Sequence, residues 1–446
     1  MTRQPLGGSS STDGAAYRLL RRAIDLRPQE VRGLVWSWLY IFSVLSSYYI
    51  IRPIRDEMGV ASGVETLPWL FTGTLLGMML VNPPFAALVA RLPRVRFISV
   101  AYRFFMANLL LFCLLLKVST PEQNIWVGRI FFIWTSVFNL FVVSVFWALM
   151  VDVFDAGQGK RLFGVISAGA TLGSILGSSL TAILSRHVGS TYLLLGSAFL
   201  LEIAVFSVRR LSRLSEALRL RPAVRGVEAP IGGNVLSGFT HAFRSRYLLN
   251  ISVYMLLYAI TSTFLYFEQA TIVNRSFADR AARTAFFAQV DLLVNVLTLG
   301  VQLFLTDRLL RGLGVALTLT LLPALSVLGF VTLGLTPTVA IIVMFQVLRR
   351  TSNFAVARPT REVLFTVIPR EDKYKAKSFI DTVIYRSGDQ VGAWSYALLS
   401  ALGLSLTGIA LAAVPLSAAW LLNSFWLGRE QETMGAAQEP LSRIPA

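Results

Sequence analysis

The sequence predicts an all-α membrane protein with twelve transmembrane helices arranged as two six-helix bundles. Three observations carry that expectation: the composition, the recurrence of long apolar runs, and the placement of basic residues between those runs. Of 446 residues, 55% are hydrophobic and only 15% are charged, against about 25% charged in a soluble globular protein. The mean hydropathy is +0.63, so water cannot be the solvent for most of this surface.

A helix rising about 1.5 Å per residue needs roughly 20 apolar residues to cross about 30 Å of hydrocarbon. Runs close to that length occupy residues 34–53, 67–90, 97–117, 127–150, 161–184, 190–208, 247–268, 284–305, 314–333, 336–357, 376–400 and 404–426. Residues 1–33 are polar and dotted with arginine, with no short apolar core leading to a small-residue cleavage site, so no cleaved signal peptide is expected.

The formal charge of +17 follows the same alternation. Basic residues collect before the first run (Arg18, Arg21, Arg22, Arg27), after the second (Arg91, Arg94, Arg96), after the fourth (Lys160, Arg161) and after the sixth (Arg209, Arg210, Arg213, Arg219, Arg221, Arg225). Arg308 and Arg311 follow the eighth run, and Lys373, Lys375 and Lys377 the tenth. Cytoplasmic loops carry the excess of lysine and arginine, so both termini and the even-numbered loops are expected in the cytoplasm. The basicity thus reports topology and a lipid bilayer, with no nucleic-acid partner.

The expected organisation is a cytoplasmic N-terminal segment (1–33), a first bundle (34–208), a cytoplasmic linker (209–246), a second bundle (247–426) and a cytoplasmic tail (427–446). The linker is the longest hydrophilic stretch and contains Pro222, Pro230 and Gly232-Gly233, which break regular structure. The halves echo each other. Gly159-Lys160-Arg161-Leu162-Phe163 opens the fifth run and Lys375-Ala376-Lys377-Ser378-Phe379 the eleventh; Ala90-Arg91-Leu92-Pro93-Arg94 after the second run is matched by Asp307-Arg308-Leu309-Leu310-Arg311 after the eighth. Two parallel six-helix repeats joined by a central linker are the major-facilitator-type architecture.

Several functions are disfavoured. A single cysteine, Cys113, allows no disulfide framework or cysteine cluster, and His187 and His241 stand far apart, so neither a metal nor another cofactor is expected. There is no Gly-x-x-x-x-Gly-Lys-Ser/Thr phosphate loop and no nucleophile with a base beside it. No catalytic residue is assigned, and the remaining energy source for transport is a gradient or an exchange. In the fifth run Gly169, Gly173 and Gly177 share one helix face, a spacing that lets membrane helices approach closely; packing is the reading preferred over contact with a substrate.

A charge inside a span is expensive and is a functional hypothesis by default. The tenth region reads Phe345-Gln346-Val347-Leu348-Arg349-Arg350-Thr351-Ser352-Asn353-Phe354 and continues to Ala357-Arg358-Pro359-Thr360-Arg361-Glu362. On a continuous helix Arg350, Phe354, Arg358 and Arg361 would fall near one face, a basic stripe suited to a polyanion because guanidinium groups bond phosphate oxygens in pairs. The alternative is that Arg358 and Arg361 sit at the membrane surface, with Glu362 as a partner. Arg52, near the end of the first run and followed by Arg55, Asp56 and Glu57, has a similar snorkelling alternative. Elsewhere the candidates for charge pairing or gating are Asp56, Glu268, Asp291, Glu362, Asp381, Arg386 and Asp389, of which Arg386 and Asp389 are spaced to neutralise each other.

Four segments carry a family resemblance. Tyr49-Ile50-Ile51-Arg52-Pro53-Ile54-Arg55-Asp56 resembles the first-helix pattern of the ATP:ADP antiporters, the nucleotide transporters of plastids and intracellular bacteria, with Arg55 where that family has lysine. Phe146-Trp147 with Asp152 and Lys160-Arg161 resembles its fourth-to-fifth helix stretch. Pro359-Thr360-Arg361-Glu362 with Ile368-Pro369 resembles its Pro-Thr-Lys-Glu…Ile-Pro, and Lys375-Ala376-Lys377 with Asp381, Arg386 and Gly388 resembles its Lys-Gly-Lys-Ala…Asp…Arg…Gly. The sequence departs from the family at Asn353, Arg358, Asp389 and Glu268. The resemblance implies exchange of nucleotides in a bacterial inner membrane, with Arg52, Arg55, Asp152, Arg350 and Arg361 as the positions carried over.

Residue chemistry and resemblance together lead to the expectation of a monomeric secondary antiporter for a small-molecule anion, with nucleotides among the candidates. Arg52, Arg55, Arg349, Arg350 and Arg361 would hold it, and the acidic residues, Asp152 included, would pair with them or gate. Two alternatives stand beside this: proton-coupled export of an amphipathic or cationic solute through Asp291, Glu268 and Asp389, and a sensor or scaffold that transports nothing. Cysteines introduced near Gly63 and Glu122 are expected to react with a membrane-impermeant thiol reagent added from outside, and one near Gly226 is not; the reverse labelling would overturn the topology.

Overall fold

In the computed structural model the described residues are 27, 30–154, 156–218, 245–368, 376–377 and 379–442. The chain descends through α1 (Val31–Ala61), α2 (Leu67–Arg91), α3 (Arg94–Val118) and α4 (Pro121–Val153) to one continuous helical stretch, Ala156–Leu218. Gly189 interrupts that stretch with φ of 73°, a left-handed conformation open to glycine because it lacks a Cβ. The break yields α5 (156–188) and α6 (190–218). The second half contains α7 (Arg246–Ser276), α8 (Arg280–Phe304), α9 (Thr306–Leu335, bent at Gly314), α10 (Val339–Leu364), α11 (380–401) and α12 (Leu406–Ser442).

Among the described residues ten helices are long and apolar enough to cross a membrane. One of the ten contains both α5 and α6, and α11 is shorter and more polar, which accounts for the twelve runs of the sequence. The boundaries differ at two places. The α6 helix continues to Leu218, into the stretch read as linker, and α12 continues to Ser442, through most of the expected tail. Residues 219–244 of the linker lie outside the described residues, as do Lys373 and Lys375.

Successive helices alternate in direction, so the 61–67, 276–280 and 401–406 connections share one end of the bundle. The described chain ends occupy the other, called here the terminal end. One apolar core belongs to the first half, around Tyr40, Ile51, Phe138, Phe146 and Leu201. Within it the Tyr40 and Tyr102 hydroxyls lie 2.7 Å apart and Tyr102 donates to the Val142 carbonyl at 3.1 Å, which satisfies both phenols in a dry interior. A second core belongs to the other half, around Tyr254, Leu322 and Trp420. A third mixes the halves, joining Val60, Leu67, Leu70 and Phe132 to Phe264, Phe267 and Tyr396 near the 61–67 end.

The glycine stripe of α5 packs against α1. A Cβ at Gly173 would stand 2.3 Å from the Phe42 carbonyl oxygen, and one at Gly177 would stand 2.4 Å from that of Ser46. The second half repeats the device: Gly388 and Gly392 of α11 meet Ala259, Leu256, Ile260 and Thr263 of α7. The fifth helix against the first therefore corresponds to the eleventh against the seventh, which is the pseudo-repeat that the loop motifs suggested.

The basic stripe expected along α10 does not form. Asn353–Ala357 is a π turn, which inserts an extra residue into the helix and rotates everything beyond it. Pro359, having no N–H, cannot bond the Ala355 carbonyl. Thr306 of α9 donates to that carbonyl at 2.8 Å instead, and Gln302 of α8 donates to the Phe354 carbonyl at 3.2 Å. Arg350 and Arg361 consequently serve different surroundings.

Overpacking a tight helix contact costs typically about 1–3 kcal/mol. Gly173→Val is therefore expected to lower the thermal unfolding midpoint of the detergent-solubilised protein by several degrees. Gly196→Ala, where an added Cβ meets nothing within 4 Å, is expected to leave it unchanged.

Candidate functional site

A cavity of about 260 Å³ lies between the halves near the middle of the bundle. The first half supplies Tyr48, Arg52 and Arg55 from α1, Phe71 and Thr74 from α2, and Phe132, Ser136 and Asn139 from α4. The second half supplies Ser262, Thr263 and Tyr266 from α7, with Tyr385, Arg386, Asp389 and Gln390 from α11. Three arginines and one aspartate thus face a chamber lined otherwise by hydroxyls, amides, aromatic rings and the single aliphatic side chain of Leu75.

One link between the halves beside the chamber is shared. Asp291 of α8, buried to 2% exposure, takes an ion pair from Arg52 of the first half at 3.2 Å and from Arg350 of the second at 2.7 Å, both on Oδ1. Arg55 donates twice to its neighbour Asp56, at 3.0 Å from Nε and 2.5 Å from Nη2, and its guanidinium lies 4.7 Å from the centre of the Phe132 ring. Tyr266 of α7 donates to Asp56 at 3.1 Å, so this pair too is held from both halves. Arg386 and Asp389 form the short-range pair that their spacing suggested, at 3.1 Å, and Thr263 donates to Asp389 at 3.4 Å. Among these groups four arginines share three aspartates, which leaves one positive charge beside the cavity.

The remaining sequence candidates stand apart. Arg349 turns into its own bundle: Nε donates to Ser326 at 3.1 Å, Nη1 to Ser262 at 3.1 Å, and Nη2 to Thr261 at 2.8 Å and the Tyr258 carbonyl at 3.3 Å. Its guanidinium also faces the Tyr258 and Trp420 rings. Arg361 pairs with Asp381 at 3.2 Å and Glu362 with Lys377, both between α10 and α11 toward the terminal end. Asp152 is exposed in the last turn of α4 at that same end. Glu268 is buried and receives only the Tyr396 hydroxyl among the described residues, at 3.5 Å, with its second oxygen unbonded.

One cluster went unread in the sequence. Glu57 of α1 takes Arg280 at 2.9 Å and Arg283 at 3.3 Å from the start of α8, fastening the halves at the 61–67 end. Nearby, Trp394 of α11 donates to Thr72 of α2 at 3.2 Å, Thr72 donates to Gln390 at 2.9 Å, and the Trp69 and Trp394 rings meet edge to face with centres 4.9 Å apart. The available signal was the run Arg55-Asp56-Glu57 opposite the Arg280 and Arg283 pair, with nothing in the order of residues to join them.

This architecture and its central chamber have counterparts. Residues 35–373 match the Major Facilitator Superfamily. Among characterised relatives, the ADP,ATP carrier protein 2 of Chlamydia pneumoniae is 21% identical, over 94% of this chain and 92% of the relative. The ADP,ATP carrier protein 1 of Chlamydia trachomatis is 20% identical, over 92% and 90% respectively. Among solved structures, a bacterial homologue of the iron transporter ferroportin in an inward-facing state superposes with a TM-score of 0.61 at 13% identity, covering 89% of this chain and 98% of that one. The peptide transporter PepTSo of the POT family superposes at 0.60 with 13% identity, over 91% and 98%. With most of its length matched, with apolar helices throughout and with transporters as its relatives, this chain is an integral membrane transporter that belongs to the Major Facilitator Superfamily.

Proposed function

We propose that the chain exchanges a phosphorylated or otherwise polyanionic metabolite, with nucleotides as the leading class, by alternating access at the interface of the two bundles. The observation that carries this reading is the set of arginines around one cavity, drawn from both halves and held by carboxylates that a substrate could replace. The kinship to carriers named for ADP and ATP supports the same substrate class.

In the empty carrier Asp56, Asp291 and Asp389 hold the guanidinium groups in place. Phosphate oxygens entering the chamber compete for the same donors, and paired N–H···O bonds to phosphate are strong and directional. The surplus positive charge favours an anion, and Phe71, Phe132 and Tyr266 offer flat faces to a base or sugar. A cavity of about 260 Å³ falls just below the usual range for small-molecule sites, about 300–1,000 Å³, so full loading requires the bundles to shift.

The 61–67 end then faces outward and both termini the cytoplasm, in a bacterial inner membrane; the basic even-numbered loops support this orientation. The Glu57, Arg280 and Arg283 cluster then closes the external path, and its rupture accompanies opening to the outside. The protein acts as a monomer and catalyses no chemical change. A second reading, proton-coupled transport, rests on Glu268, which is buried against Tyr396 away from the arginines.

Hydrogen bonds to charged groups contribute about 1.5–3 kcal/mol each, equivalent to roughly tenfold to a hundredfold in affinity. Arg55→Gln is therefore expected to raise KM for nucleotide uptake into proteoliposomes by about that factor while the purified protein remains monodisperse; unchanged KM would remove Arg55 from the site. Preloaded vesicles are expected to take up labelled nucleotide much faster than empty ones, with little effect of a proton ionophore. Uptake that collapses with the proton gradient, and with Glu268→Gln, would favour the second reading. Asp291→Asn leaves two half-buried arginines facing each other without their shared carboxylate, and loss of one partner from a fully buried pair, the upper bound here, costs about 3–5 kcal/mol. It is expected to destabilise the protein more than the Asp291→Asn, Arg350→Gln double variant, as measured by thermal unfolding.

A further inference from the structure

A second basic cavity lies on the first bundle and shares no lining residue with the central chamber. It has a volume of about 520 Å³ and opens to the surface between the start of α3 and the end of α6. Arg96, Ser99, Val100 and Arg103 line it from α3, and Arg209 and Ser212 from α6.

The two helices run antiparallel in a register set by two bonds. Cys113 reaches the Thr191 carbonyl at 3.5 Å, and Arg103 pairs with Glu202 at 2.7 Å. Carrying that register seven residues further, about 10 Å along the helices, brings Arg96 level with Arg209. Arg103, exposed like its partner, is thus neutralised by Glu202. Arg96 and Arg209 stand together at its mouth, and among the described residues neither has a carboxylate partner.

The groove also has an apolar flank. Val100 in its lining is 49% exposed, and Phe104, one turn farther into the membrane on the same face of α3, is 62% exposed. A guanidinium pair at the depth where a helix leaves the hydrocarbon, continuous with exposed aliphatic and aromatic side chains, matches the anatomy of a lipid: phosphate at the interface and acyl chain below it. Basic pockets between transmembrane helices at the cytoplasmic face recognise anionic headgroups on this principle.

We infer that the α3/α6 groove binds the phosphate of an anionic phospholipid between Arg96 and Arg209, with an acyl chain along Val100 and Phe104. The bound phosphate relieves the repulsion between the two cations and fastens the start of α3 to the end of α6. A free phosphate ion would supply the charge without using the apolar flank.

The test uses the full-length protein in detergent. Native mass spectrometry and thermal unfolding are followed with added dioleoyl-phosphatidylglycerol, dioleoyl-phosphatidylcholine or inorganic phosphate. Phosphatidylglycerol is expected to remain bound and raise the unfolding midpoint, and phosphatidylcholine and inorganic phosphate are expected to do neither. The Arg96→Gln, Arg209→Gln double variant removes both cations that face the phosphate and should bind phosphatidylglycerol roughly thirtyfold more weakly. Should that variant fail to fold, Val100→Trp fills the groove from an exposed position and should abolish the selectivity. Equal stabilisation by phosphatidylcholine, equal stabilisation by inorganic phosphate, or phosphatidylglycerol binding undiminished in a folded variant would each overturn the assignment.

Discussion

The shared carboxylate of Asp291 is the constraint around which the interface is arranged. Arg52 comes from the first half and Arg350 from the second, and both converge on one oxygen of a residue that is almost wholly buried. Charges in such surroundings are screened far less than at a wet surface, so neither arginine can be displaced without altering the other. The glycine contacts of α5 with α1 and of α11 with α7 keep the helices that bear these and the neighbouring charges firmly seated in their own halves. Each bundle is therefore closely packed internally, and the two are joined through charge.

The polar contacts between halves are graded along the membrane normal. At mid-bundle they surround a cavity and include hydroxyls and amides. Toward the 61–67 end they become a tighter seal, with Glu57 between two arginines, Thr72 bonded to Gln390, and two tryptophans in edge contact. The seal belongs to α1, α2, α8 and α11, of which three also line the chamber and the fourth, α8, carries Asp291.

Much of this was legible in the sequence, and what was missed has identifiable causes. The apolar runs, the basic loops and the stripe at Gly169, Gly173 and Gly177 report local constraints: helix length, solvent and close packing leave marks within a few residues. Arg386 and Asp389 were readable for the same reason, being three residues apart on one helix. The link from Glu57 to Arg280 joins positions more than two hundred residues apart, and no periodicity encodes it. Arg349 and Arg350 looked equivalent because they are adjacent, yet adjacent helical residues point about 100° apart, one into its bundle and one toward the interface. Pro359 announced a break in α10, but the extra residue placed ahead of it leaves no compositional trace.

That extra residue has a consequence of its own. A π turn keeps a helix continuous while changing its phase, and α11 begins with a second one at Ile380–Ile384. The two turns stand on consecutive helices, between the central charges and the Arg361–Asp381 and Glu362–Lys377 pairs or at their boundary. Each helix is thereby divided into two lengths whose facings are set separately. The inner length carries charges of the interface and the outer length those nearer the terminal end, so a substitution that turns one need not be compensated in the other.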